Sequence, residues 1–182
     1  MMNVIEVFIR YRSFVGILCL IALLFFSTPS PVSVAIGFFF IVAGMFFRAW
    51  ATGYINKDKE LATKGPFSLS RNPLYFGNFI LGLGIAIAGK NLTSYIIFFA
   101  FYLAFFPFLM VYEHHRMKKF FGPQFEEWRK KTNLFFPKIK RIEDTDFNIS
   151  YYMKNKEYRV LYFSLFVIAV FILKVLKIIR TV

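Results

Sequence analysis

Two stretches of this chain carry residue types that could do chemistry. One is the cationic turn Gly65-Pro66-Phe67-Ser68-Leu69-Ser70-Arg71-Asn72-Pro73-Leu74-Tyr75-Phe76-Gly77; the other is Glu113 with His114, His115 and Arg116 behind it. The turn runs straight into an apolar helix that begins near Tyr75. Its backbone amides therefore sit at a helix N-terminus, where the dipole favours an anionic or carboxylate-bearing ligand. Arg71 either orients that anion or anchors the turn at a membrane surface. Glu113 ends an apolar stretch, and an ionisable residue at a membrane boundary is a functional candidate. The competing role for Glu113 is a helix-end carboxylate paired with Arg116 or Lys118. His114 and His115 point about 100° apart on a helix, which does not suit joint metal ligation. No metal site is expected. Cys19, the single cysteine, reads as a small packing hydrophobe.

The elements that must position these residues are membrane helices. The chain is 58% hydrophobic and 21% aromatic, with 27 phenylalanines, more apolar surface than a soluble core of this size hides. The expected fold is an all-α polytopic membrane bundle of four to five transmembrane helices with a cytoplasmic cofactor pocket. Residues 13–27, extendable to Tyr11, form the first apolar run. The uncharged link 27–31 joins it to a second run, 32–55, as a helical hairpin, and no small-residue cleavage site marks the first run as a signal peptide. The polar connection 56–72 carries Lys57, Lys59, Lys64 and Arg71. The third run, 73–89, is rich in Gly and Ala, so it is expected to pack centrally. The fourth, 92–112, is interrupted by Pro107. Residues 113–156 are polar and helical in pattern. The last run, 160–173, crosses the membrane if extended to Ile179 with Lys174 and Lys177 snorkelling, and otherwise lies on its surface; a crossing is favoured. Three regions follow: an N-terminal hairpin (1–55), a catalytic region (56–138) and a tail (139–182).

The formal net charge of +13 is distributed in loops and at helix ends. Arg10, Arg12, the 56–72 connection and the 113–156 region fall on one side of a four-span scheme, which places that side in the cytoplasm. A fifth crossing would send Lys177 and Arg180 outward, against that rule. Nucleic-acid binding is excluded, because the basic runs are short and separated by spans of bilayer length. Arg48 either seals the pocket or snorkels. Trp50 and Trp128 read as interfacial belt residues.

The run Leu61 to Gly77 resembles the signature of the isoprenylcysteine carboxyl methyltransferase family, roughly L-V-T-x-G-P-Y-x-x-x-R-H-P-x-Y-x-G. A second block is similar to the family's closing motif: Glu113, then Phe120-Phe121-Gly122-Pro123-Gln124-Phe125-Glu126-Glu127-Trp128, then Phe136-Pro137. The related phospholipid methyltransferases share much of this pattern, and the resemblance covers about residues 48–138. It implies an integral-membrane methyltransferase that uses S-adenosylmethionine in a cytoplasmic pocket, in a bacterial or archaeal inner membrane. Carried over by position, Arg71, Asn72 and Glu113 are the catalytic residues. Cofactor contacts fall on Lys59, Glu60, Leu61, Ala62, Phe67, Asn72, Pro73, Leu74, Tyr75 and Glu113, with Glu113 holding the ammonium of the methionine moiety. The implied partners are the lipid bilayer and a lipophilic or lipidated acceptor bearing a carboxylate, amine or thiol. Asn72 stands where the family has histidine and Phe67 where tyrosine is common. Leu109 stands where prenylcysteine-methylating members carry an arginine. Two other classes compete: a non-catalytic scaffold, and a nicotinamide-dependent membrane reductase, since sterol reductases share an R-H-x-x-Y-x-G-like block.

Overall fold

Prolines and small polar residues punctuate the apolar runs and set the helix boundaries. The computed structural model describes residues 2–56, 59–139, 142 and 147–177. Lys57, Ile179 and Arg180 lie outside the described residues. Seven helices follow in order among those described: α1 (Met2–Phe26), α2 (Pro31–Thr52), α3 (Pro66–Leu69), α4 (Pro73–Gly89), α5 (Leu92–Lys131), α6 (Ile149–Lys154) and α7 (Tyr158–Val175). Pro31 and Pro73 open their helices, where a missing N–H costs nothing. Ser30 and Ser33 cap α2 reciprocally, at 2.9 and 3.3 Å, and Asn91 caps α5 by accepting the Ser94 N–H at 2.7 Å.

Among the described residues, four stretches are long and apolar enough to cross a membrane: Ile9–Phe26, Pro31–Thr52, the α5 helix and Tyr158–Val175. The shorter α4 lies at the centre, as its small residues predict. Gly37 of α2 faces Gly84 of α4, and Gly44 faces Gly77. A Cβ at Gly37 would come within 2.6 Å of the Gly84 carbonyl oxygen, and one at Gly44 within 2.7 Å of the Gly77 oxygen. Helices in lipid gain nothing from hiding apolar surface against each other, so this close backbone contact supplies the packing energy. It also corrects the expected hairpin. The 27–30 link does turn sharply, but α2 packs along α4 while α1 packs along α5, because the glycine face of α2 fits against the glycines of α4.

The helix α5 is not interrupted at Pro107. A proline removes one intrahelical donor, which membrane helices tolerate. The break comes at Gly122 instead, with φ 48° and ψ −122°. Even up to that break, residues 92–121 would extend about 45 Å, well beyond the hydrocarbon thickness of about 30 Å. The charged part from Glu113 onward therefore projects beyond the bilayer.

The tail has a clear place. α7 starts beside the C-terminal end of α2 and finishes at the α1–α2 turn, so it traverses the bundle. Near its start, Glu157 receives Arg48 Nε at 2.7 Å and Nη2 at 2.9 Å, while Arg48 Nη1 donates to Asn78 Oδ1 at 2.5 Å. Arg48 thus neither seals a pocket nor snorkels; it is held in a buried bidentate pair that joins α2, α4 and α7. At the other end Lys174 does not snorkel either. Its Nζ donates to the carbonyls of Leu24 (2.5 Å), Phe25 (3.2 Å) and Ser27 (3.0 Å) and to Ser27 Oγ (3.1 Å). A cation at the C-terminus of α1 satisfies carbonyls that no helical N–H reaches and complements the dipole. The tail caps α2 in the same way: the Asn148 N–H donates to the Gly53 carbonyl at 3.1 Å, and Asn155 Nδ2 to that of Ile55 at 2.9 Å.

Candidate functional site

At the end of the bundle away from Lys174, four chain segments enclose a cavity of about 230 Å³, just under the range of about 300–1,000 Å³ usual for small-molecule sites. The first wall depends on Gly65, whose φ of 54° and ψ of −128° turn the chain into α3. A Cβ at Gly65 would lie 2.5 Å from the Tyr54 ring, so both backbone and packing require glycine there. The turn delivers Phe67 to the cavity, and the Phe67 carbonyl accepts the Trp128 Nε1–H at 3.1 Å.

The second wall is the segment leading into α4, stitched to the stretch after α5. The Arg71 N–H donates to the Asn133 carbonyl at 2.8 Å and the Lys138 N–H to that of Leu69 at 2.9 Å. Ser70 Oγ donates to the Phe135 carbonyl at 2.8 Å, and Asn72 Nδ2 to that of Leu134 at 2.9 Å. Asn72 occupies the N-cap position of α4, but with its side chain turned to Leu134 the first turn of α4 has no side-chain cap. The third wall is the projecting end of α5, and the fourth is the short helical segment beyond Gly122.

Most of the residues singled out from sequence converge here. Glu60, Leu61, Ala62 and Phe67 line one side, Arg71 to Tyr75 another, and Glu113 a third. Lys59 is exposed and stands outside the lining. Sequence reasoning missed Met110, Met117 and Phe121 and weighed His114 only as a metal ligand; with Glu113 these form one face of α5 at spacings of three and four. That periodicity was available as a signal. It also missed Phe125 and Trp128. Trp128 is not simply a belt residue, for its ring nitrogen fixes α3 and its face lines the cavity.

The charges are unevenly satisfied. Arg71 Nε is buried and has no hydrogen-bond partner among the described residues. Burial pushes the Arg71 pKa below its ordinary value; Arg129 adds to the shift and Glu126 opposes it. Glu113 lies 3.9 Å from Arg116. His114, beyond the membrane segment, has its pKa lowered by burial first and then by Arg129, Arg71 and His115, with Glu126 opposing. The imidazole is therefore neutral at neutral pH. His115 points away, with Nδ1 2.8 Å from the Val111 carbonyl oxygen. Among the described residues no group of three His, Cys, Asp or Glu could hold a metal ion.

Apolar helices long enough to cross a bilayer, topped at one end by a largely apolar cavity that carries Arg71, Glu113 and His114, define an integral-membrane protein with a site at the membrane surface. Residues 11–124 match the family described as phospholipid methyltransferase, and the chain belongs to that family. It is similar to the nickel-cobalt-cadmium resistance protein NccN of Alcaligenes xylosoxydans xylosoxydans, 32% identical over 102 residues that cover 54% of this chain and 47% of that one. It is 33% identical over 114 residues to the cobalt-zinc-cadmium resistance protein CzcN of Cupriavidus metallidurans, covering 60% and 51%. The protein-S-isoprenylcysteine O-methyltransferase of Schizosaccharomyces pombe is 32% identical over 99 residues, covering 54% and 42%. The chain thus spans about half the length of the relatives it matches. No solved structure matches it.

Proposed function

We propose that this protein is a methyltransferase that uses S-adenosylmethionine and acts on a lipophilic or amphiphilic acceptor, with its pocket on the cytoplasmic side of a bacterial or archaeal inner membrane. The observation that carries this reading is the layout of charge in the cavity. Arg71 offers a buried donor with no acceptor, beside a helix start without a side-chain cap. The Glu113 carboxylate lines the same cavity. Together they complement the two ends of an amino-acid zwitterion: Arg71 and the α4 amides suit the carboxylate, and Glu113 suits the ammonium. Phe67, Tyr75 and Trp128 supply aromatic faces suited to adenine and a sulfonium.

When bound, S-adenosylmethionine supplies an electrophilic methyl group on a cationic sulfur. The part of the chain is then to hold the reactants in line and keep water out, from which most of the rate of such a transfer can come. Residues 56–138 form the catalytic region in this reading, while the two helices before it and the tail after it hold the bundle together. Leu109, at the position of the substrate arginine in prenylcysteine-methylating members, is buried with Phe105 and Phe106 in an aromatic cluster. That weighs against a prenylcysteine carboxylate as the acceptor.

Calorimetry of the detergent-purified protein with S-adenosylhomocysteine and with reduced nicotinamide adenine dinucleotide phosphate tests the reading. Micromolar binding of the first alone is the expected result. Binding of neither would favour a scaffold, and binding of only the second a reductase. Glu113→Ala is expected to abolish S-adenosylhomocysteine binding; unchanged affinity would remove Glu113 from the site.

A further inference from the structure

Two adjacent histidines sit at the end of α5, and the structure uses them differently. His115 is exposed and bound to the Val111 carbonyl of its own helix. His114 faces the cavity alongside Arg71 and Glu113, its ring edge-on to Phe125 with centroids 5.2 Å apart. Among the described residues, neither ring nitrogen of His114 makes a hydrogen bond. We infer that His114 is the group that takes the proton from the methyl acceptor, and that the acceptor is a nucleophile that arrives protonated (an amine, thiol or hydroxyl) rather than a carboxylate. This rests on the methyltransferase reading above.

The other bases lining the cavity are occupied. Glu113 faces Arg116, and Glu60 accepts from Asn56 Nδ2 at 3.0 Å and from the Tyr151 hydroxyl at 3.4 Å. A carboxylate is in any case a weaker base than imidazole. The charged groups around His114 come from three elements: Arg71 from the turn before α4, Arg129 and Glu126 from the segment beyond Gly122, and Glu113, His115 and Arg116 from α5. Burial first, and then the cations in that set, keep the imidazole neutral and ready to accept. In the step, the bond between the acceptor atom and its proton breaks and the proton passes to His114. The freed electron pair forms the new bond to the methyl carbon. The sulfur–methyl bond breaks with its pair remaining on sulfur, which leaves as a neutral thioether. A carboxylate acceptor, already deprotonated, would give His114 nothing to do.

The test presents wild-type protein in detergent with labelled S-adenosylmethionine and, separately, dodecylamine, dodecanethiol and dodecanoic acid. Transfer to the amine or thiol is expected, with a rate that falls on the acid side as His114 charges. His114→Gln should lower kcat about 100- to 10,000-fold, leave KM and S-adenosylhomocysteine affinity within about twofold, and remove the acid limb. His115→Gln should leave the plateau rate unchanged and keep the acid limb, moved at most slightly upward, and controls for local disturbance. In the ligand-free protein, NMR titration of the labelled His114 imidazole should place it below the ordinary histidine value. Transfer to the acid alone or to none of the three, or a His114→Gln variant that keeps its rate and acid limb, overturns the inference. Failure of the wild type to bind S-adenosylhomocysteine is the separate result that would overturn the underlying reading.

Discussion

The two ends of the bundle treat a cation in opposite ways. At one end, Lys174 is 6% exposed and donates to four oxygens of the α1 C-terminus and its turn. At the other, Arg71 keeps a buried Nε with no acceptor. The first arrangement closes a structural account; the second leaves one open for a ligand. A satisfied buried charge stabilises, whereas an unsatisfied one costs free energy unless something completes it. Lys174 is a helix cap inside the protein rather than a free charge beside the lipid.

Mutations can break or sharpen this contrast. The largest effect is expected at the strut between the two ends: Glu157→Ala strands Arg48 without its carboxylate in a buried setting and should cost about 3–5 kcal/mol of stability. Thermal unfolding in detergent measures it, and a double-mutant cycle with Arg48→Met isolates the pair. Next, Arg71→Ala should weaken S-adenosylhomocysteine binding by about 1.5–3 kcal/mol, the scale of a hydrogen bond to a charged group, without lowering the melting temperature. A fall in melting temperature with unchanged affinity would make Arg71 structural and erase the contrast. Lys174→Met should do the reverse: about 1–3 kcal/mol of stability lost, with the ligand bound as tightly as before. The smallest change belongs to Asn72→Ala, which removes the bond to the Leu134 carbonyl at a cost of about 1 kcal/mol. Asn72→His, which retains a donor, should recover part of that loss, as read by the same melting assay.

What was legible in the sequence was what is local along it. Apolar runs, opening prolines and small-residue spacing gave the crossings and the central place of α4, and the cationic turn and Glu113 marked two facing walls of the cavity. The tail was opaque because its contacts are remote: Arg48 and Glu157 are 109 residues apart, and Lys174 and Leu24 150. No periodicity announces such pairs. Pro107 misled because a proline is a weaker signal in lipid than in water, while Gly122, the true break, looked like one more motif residue. Trp128 misled through composition, since tryptophan near a membrane end suits a belt as well as a pocket. Lys59 shares its segment with lining residues yet faces solvent, a distinction of side-chain direction that residue order does not encode.

The stitching of residues 69–72 to residues 133–138 has a consequence for how the protein is made. Its hydrogen bonds join partners 62 to 69 residues apart, and the whole of α4 and α5 lies between them. Closing so long a loop is entropically costly for a free chain. It becomes inexpensive once the two helices are threaded through the bilayer and their ends held side by side. The cavity is therefore a product of membrane insertion: the ribosome delivers its second wall before α4 enters the lipid, and the strand of backbone that completes it emerges only after α5 has returned.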